Sequence, residues 1–158
     1  MATLDVNLIN PFIEATIMAL ETMAMLKPKR TKVYLKNNAT VNGDISGIMG
    51  LTGEVDGSIV VTFAAETACK VVGSMLGVKF DSINDEVKDG IQEVVNLIAG
   101  QAKAKLSGTK FHFKISIPTC VTGKNHEITR AKGVPIIVAE FDLNGDPFAV
   151  EVAITAKG

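Results

Sequence analysis

The sequence predicts one α+β domain, a mainly antiparallel sheet packed with three helices. Three observations predict it. Apolar residues recur at steps of three and four in three separate stretches, as on the buried faces of amphipathic helices. Elsewhere apolar residues alternate with polar ones or form short β-branched blocks, as strands do. Asn144-Gly145, between two such blocks, is a strong two-residue hairpin signal. With 158 residues and no linker, low-complexity stretch or charge run, residues 1–158 read as a single domain with enough chain for a substantial core.

The first helix opens at Asn10-Pro11, with Asn as the expected N-cap and Pro at the first helical position. Phe12, Ile13, Ile17, Leu20, Ala24 and Met25 form its apolar face, which runs up to Pro28. A short strand at Val33-Tyr34-Leu35 follows, then a turn at Asn37-Asn38. A glycine-rich stretch over Thr40–Met49 suggests a twisted or bulged strand. Ser58–Phe63 is β-branched and strand-like, entered through Gly53 and Gly57. A shorter helix spans Glu66–Leu76 and stops at Gly77.

The longest helix runs from about Ser82 to Gly108, with Val87, Ile91, Val94, Val95, Ile98, Ala102 and Leu106 inward. Ser82 or Asn84 can cap it. Asp85 and Glu86 suit the positive end of its dipole, and Lys103 and Lys105 the negative end. Phe111, Phe113, Ile115 and Ile117 then alternate with polar residues up to Pro118, the cleanest period-two signal in the chain. Residues 134–143 predict another strand. Its hairpin partner carries Phe148, Val150, Val152 and Ile154 on one face.

Composition excludes several functions. A net charge of −1 is wrong for a general nucleic-acid binder, which needs clustered cations. The Lys27–Arg30 cluster is short and reads as a solvated helix end. No segment reaches the ~20 uninterrupted apolar residues of a membrane span, and the N-terminal apolar run, broken by Glu14 and Glu21, lacks a secretory leader. A cytoplasmic protein is expected. Hydrophobic residues make up 47% of the chain, without tryptophan, so the core is aliphatic and a second subunit is expected to cover part of the apolar surface.

Sites of familiar chemistry are missing from the pattern. His112 and His126 stand at no metal-ligand spacing, and Cys69 and Cys120 form no CxxC pair but read as buried thiols. Thr122-Gly123-Lys124 lacks the upstream glycine of a phosphate-binding loop. What remains is the polar stripe of the long helix: Asp89, Glu93, Asn96, Gly100 and Lys103. Asn is poor in mid-helix because its side chain competes for backbone hydrogen bonds. Gly100 costs about 1 kcal/mol against Ala. A helix that accepts both on one side leaves room there for a partner.

Asp89, Glu93 and Asn96 in a D-x-x-x-E-x-x-N pattern, with Pro118 some twenty residues on after a strand, resemble the signature of the CheC/CheX/FliY phosphatases. The stretch at residues 53–77 is similar to that family's strand-then-helix unit, and the opening NPFIEAT to its CheX branch, so the resemblance spans nearly the whole chain. It carries one motif helix, as in CheX. At the offsets of a second motif the first helix has Asn10, Glu14 and Ile17, with Ile where Asn is needed. Val95 stands where the family often has glycine.

The resemblance implies a CheC-like fold and hydrolysis of the aspartyl phosphate of a CheY-like response regulator. A carboxamide can hold a water in line, because its C=O accepts from the water while its NH₂ donates to nearby oxygens. That role falls to Asn96. Glu93 is implied to pair with the regulator's lysine, and Gly100 and Lys103 to lie near the docking surface. No cofactor is expected on this chain, since Mg²⁺ would belong to the regulator. A homodimer is expected. The competing reading is a non-catalytic dimeric module that binds a signalling partner through the same helix face.

Overall fold

In the computed structural model, which describes residues 8–36, 43–126, 128 and 134–156, the helices are α1 (Ile9–Ala24), α2 (Ala65–Leu76) and α3 (Asp85–Leu106). The strands are β1 (Lys29–Lys36), β2 (Gly43–Thr52), β3 (Val55–Phe63), β4 (Lys114–Ile115), β5 (Thr119–His126), β6 (Ile136–Leu143) and β7 (Asp146–Ala156). They form one sheet in the order β1-β6-β7-β3-β2, with β4 and β5 following each other along the free edge of β2. Every pairing among the described strands is antiparallel.

Period two sorts the strand residues into two faces. Ile45, Met49, Ile59, Val61, Phe63, Ile137, Phe141, Phe148, Val150 and Val152 join the buried faces of all three helices in one core. Phe148 stacks between Phe63 and Phe141, with centroid distances of 4.9 and 5.0 Å. The opposite face holds a smaller cluster of Ile136, Val138 and Ala153. It also carries buried polar groups with partners: Ser46 Oγ lies 2.7 Å from both Thr62 Oγ1 and His126 Nε2, and Lys36 reaches Glu151 at 3.3 Å. His126 Nδ1 is 2.9 Å from the Gly123 carbonyl, an acceptor only, so Nδ1 carries the proton of the neutral ring.

Most predicted elements are present with shifted ends. Gly77, at φ 70°, stops α2, and Asn144 and Gly145, at φ 54° and 96°, form the β6–β7 turn. The first helix begins earlier than the capping pattern suggests: Ile9 and Asn10 are already helical, Leu8 is the N-cap, and Asn10 caps nothing. Pro11 still lies in the first turn, where no intrahelical N–H is needed. Lys29 and Arg30 belong to β1 and do not cap α1. The Asn37-Asn38 turn lies outside the described residues.

The largest correction concerns residues 111–117. Only Lys114 and Ile115 form a strand, pairing with Thr52 and Leu51. Ahead of them, the chain is held in a turn by Thr109 Oγ1 donating to Leu106 O (2.7 Å) and His112 N–H donating to Thr109 O (3.2 Å). Phe113 is buried against Phe12 with ring centroids 6.2 Å apart, so its alternation reflects core insertion and not a sheet ladder. The strand that lines β2 is instead Thr119–His126, which has no clean apolar alternation.

Candidate functional site

Helix α3 starts where Asn84 Oδ1 accepts from the Val87 N–H at 2.9 Å. Asp85 and Glu86 fill its first turn and Lys103 and Lys105 its last, matching the dipole at both ends. Val87, Ile91, Val94, Val95, Ile98, Ala99 and Ala102 are fully buried, so the rotation of the helix about its axis is set by the core. The polar stripe therefore faces outward. Asp89, Glu93 and Lys103 are exposed, while Asn96 and Gly100 are half-buried.

Two glycines outside the predicted stripe seat this helix. A Cβ at Gly47 of β2 would lie 3.1 Å from the Ile91 carbonyl oxygen and 3.1 Å from Val95 Cγ1. A Cβ at Gly90 would lie 2.6 Å from both γ carbons of Val72 in α2. The only sequence signal was the glycine content of the β2 stretch, since glycine inside a strand marks a bulge or a close approach. Val95 is thus packed by a glycine on the strand side. Gly100 differs: a Cβ there meets nothing within 4 Å, so its space opens to the outside of the molecule.

Pro118 sits in a break of the edge ribbon formed by β4 and β5. Ser116 bridges the break, its N–H donating to Gly50 O at 3.0 Å and its Oγ accepting from Gly50 N–H at 2.8 Å. Pro has no N–H to give a ladder, and an edge tolerates it. Beside it Ile117 is 83% exposed. The ribbon borders the flank of α3 that carries Lys88. Burial pushes the Cys120 thiol above its ordinary range; the Lys88 charge opposes this and the Asp89 charge adds to it. The helical repeat puts Asn96, two turns after Lys88, on the side of the stripe nearer this edge.

On α1, Glu14 Oε2 lies 3.0 Å from Lys105 Nζ of α3, and Ile17 is half-buried. The carboxylate at the second-motif position is thus occupied by an ion pair within the chain. Among the described residues, no group of three or more His, Cys, Asp and Glu side chains could hold a metal ion. An open groove of about 630 Å³ is lined by Leu26, Cys69, Lys70, Val78, Phe80 and Asp81, but by no residue of α3. Glu93 and Asn96 are not among the residues that line this groove.

Known proteins resemble this chain in sequence and in fold. The profile of the family described as chemotaxis phosphatase CheX matches residues 45–142, a span that contains Asp89, Glu93, Asn96 and Pro118. A curated relative from Thermotoga maritima, the CheY-P phosphatase CheX, is 27% identical over 156 residues, covering 98% of this chain and all of its own. A CheC-like superfamily protein from Shewanella sp. PV-4 superimposes with a TM-score of 0.89 at 33% identity, covering 98% of this chain and 100% of the other. The Borrelia burgdorferi CheX of a CheX-CheY-BeF3-Mg complex gives a TM-score of 0.81 at 30% identity, covering 96% of this chain and 99% of the other. With the motif helix, the sheet and the length of the chain all accounted for, this protein belongs to the CheX family of chemotaxis phosphatases.

Proposed function

We propose that this protein hydrolyses the aspartyl phosphate of a CheY-like response regulator, with Asn96 holding the attacking water and Glu93 docking the regulator's lysine. One observation carries the reading. Glu93 and Asn96 lie one turn apart on the outward face of a helix whose opposite face is fully buried, so both project toward a partner from a rigid base. A relative named as a CheY-P phosphatase and a relative solved bound to CheY give that partner its chemistry.

In the reaction the water oxygen bonds to phosphorus and the bond to the aspartate oxygen breaks. The carboxylate leaves, inorganic phosphate is released, and the water's proton passes to phosphate or solvent. Acyl phosphate has a good leaving group, so the main requirement is a water held in line. The Asn96 carbonyl accepts from that water and its amide donates to a neighbouring oxygen. Glu93, an anion, has no favourable approach to the phosphoryl group and serves better against a cation. Mg²⁺ is expected on the regulator.

Phosphate release from a phosphorylated CheY-like regulator, with and without this protein, tests the reading. The parent should accelerate release, and Asn96→Ala should lose most of that acceleration while still binding, because its interaction exists mainly in the transition state. Full binding without acceleration by the parent would favour the non-catalytic interaction module. The same reading includes a cytoplasmic homodimer. The edge strand β1 leaves Tyr34 and Leu35 41% and 55% exposed, an edge that a second copy could cover. Light scattering showing only a 16.7 kDa species would remove the dimer from the proposal.

A further inference from the structure

Gly47 of β2 lies against the turn of α3 that carries Glu93 and leads into Asn96. Beyond its 3.1 Å approaches to Ile91 O and Val95 Cγ1, a methyl there would lie 3.2 Å from Ile91 Cγ2. Ordinary carbon–carbon contacts are about 3.5–4.0 Å. A Cβ at position 47 would therefore need the helix or its side chains to give by a few tenths of an ångström.

β2 cannot retreat to make room. Gly47 is paired with Val61 of β3 on one side and Cys120 of β5 on the other, so the strand is laddered at both edges. The helix is held at Gly90 by its close packing on Val72, one residue before the Gly47 contact begins. A methyl at position 47 would thus tilt α3 outward from Ile91 onward, with Gly90 as the pivot. Asn96, six residues beyond the pivot, would move with it. The rest of the stripe would remain exposed and chemically intact.

From this geometry we infer that Gly47 is a positioning residue: it sets the depth at which Asn96 is presented to the partner's phosphoryl group. The inference rests on the proposed hydrolysis. Water alignment is sensitive to displacement, and 1 Å of misplacement costs about a hundredfold in rate. A shift of a few tenths of an ångström should cost about tenfold. Docking depends on a wide surface and on charge and should hardly change.

The test compares the parent with Gly47→Ala, Val95→Ala and the double variant, all as the full chain, using a phosphorylated CheY-like regulator. Gly47→Ala should lower kcat about tenfold and leave KM and binding of the regulator within about twofold. Val95→Ala removes one of the three atoms that an added Cβ at position 47 would strike and leaves Ile91 O and Cγ2 in place, so in its background the same substitution should cost less, about three- to fivefold. Equal losses in both backgrounds, or parental kcat in Gly47→Ala, overturn the inference. If Gly47→Ala does not fold, Val95→Ile tests it from the helix side. It adds a methyl at the same contact and should also lower kcat with KM unchanged; parental kcat there overturns the inference. An inactive parent would refute the proposed hydrolysis instead. In that case the side-chain amide NMR signals of Asn96 decide on Gly47: they should shift in Gly47→Ala, and unchanged signals overturn the positioning role.

Discussion

Gly90 of α3 packs so closely on Val72 of α2 that a Cβ at position 90 would lie 2.6 Å from both Val72 γ carbons and 3.1 Å from its Cβ. Two helices cannot approach this closely with a side chain in between. Val72 is β-branched and held to one rotamer in a helix, so it cannot swing aside. Glycine costs α3 about 1 kcal/mol of intrinsic helix stability against alanine. Overpacking costs about 1–3 kcal/mol. With packing this tight the steric effect is the larger, and Gly90→Ala should lower stability by up to about 2 kcal/mol despite its better helix propensity. Val72→Ala should recover part of that loss in the Gly90→Ala background. Denaturant midpoints of the two variants check both values, and a stabilised Gly90→Ala would show that the helices have room to separate.

Glu93 and Asn96 should separate in binding experiments. Glu93→Ala removes a charge from an exposed position whose proposed partner is a cation already present before reaction, so it should weaken regulator binding about three- to tenfold and reduce its salt dependence. Asn96→Ala should leave binding within about twofold and should stabilise the folded chain by up to about 0.5 kcal/mol through helix propensity. Titration calorimetry at two ionic strengths reads the first effect and thermal unfolding the second. Parental affinity with parental salt dependence in Glu93→Ala would contradict the docking role.

Asp44 accepts from the Ala65 N–H at the start of α2 (2.8 Å) and from the Asn125 N–H (3.1 Å), and these two bonds, the first foremost, hold its carboxyl below the usual aspartate range. A depressed folded-state pKa means that the carboxylate's contribution is complete above the ordinary value of about 4 and fades as pH falls through the lower folded value. Asp44→Asn should flatten the acid limb of the stability curve and leave its slope above pH 5 unchanged. Urea midpoints across pH 2.5–7 measure this. An unaltered acid limb would show that Asp44 is not among the groups that drive acid unfolding.

Glu14 bridges to Lys105 across α1 and α3 with both side chains partly solvated, 62% and 32% exposed. Such pairs contribute about 0–1 kcal/mol. With Ile17 where a second site would need Asn, Glu14→Gln should leave phosphate release at the parental rate and move stability by less than about 1 kcal/mol. A large fall in rate at unchanged stability would reveal a second working face on α1.

Much of this architecture was legible in the sequence because local rules decide it. The inward residues of α3, the Asn84 cap, the Gly77 stop and the Asn144-Gly145 turn depend on contacts within a few residues, and each appears in the structure where spacing put it. The motif stripe was legible for the same reason: three- and four-residue steps determine which side chains share a helix face, whatever surrounds the helix.

What the tertiary structure decided lies where a distant strand or helix supplies the partner. Phe111–Ile117 alternates as a strand should, yet Thr109 holds its start in a turn and Phe113 enters the core against Phe12. Thr119–His126 has no such alternation and becomes a strand because β2 offers it an open row of backbone groups. Gly47 reads from the sequence only as part of a glycine-rich, twisted or bulged strand, and Gly90 carries no signal of its own. Only the folded chain shows that one meets Ile91 and Val95 and the other Val72. Alternation and propensity are properties of a segment alone, whereas a ladder or a close crossing needs two segments far apart in sequence, and their separation is set only when the core closes.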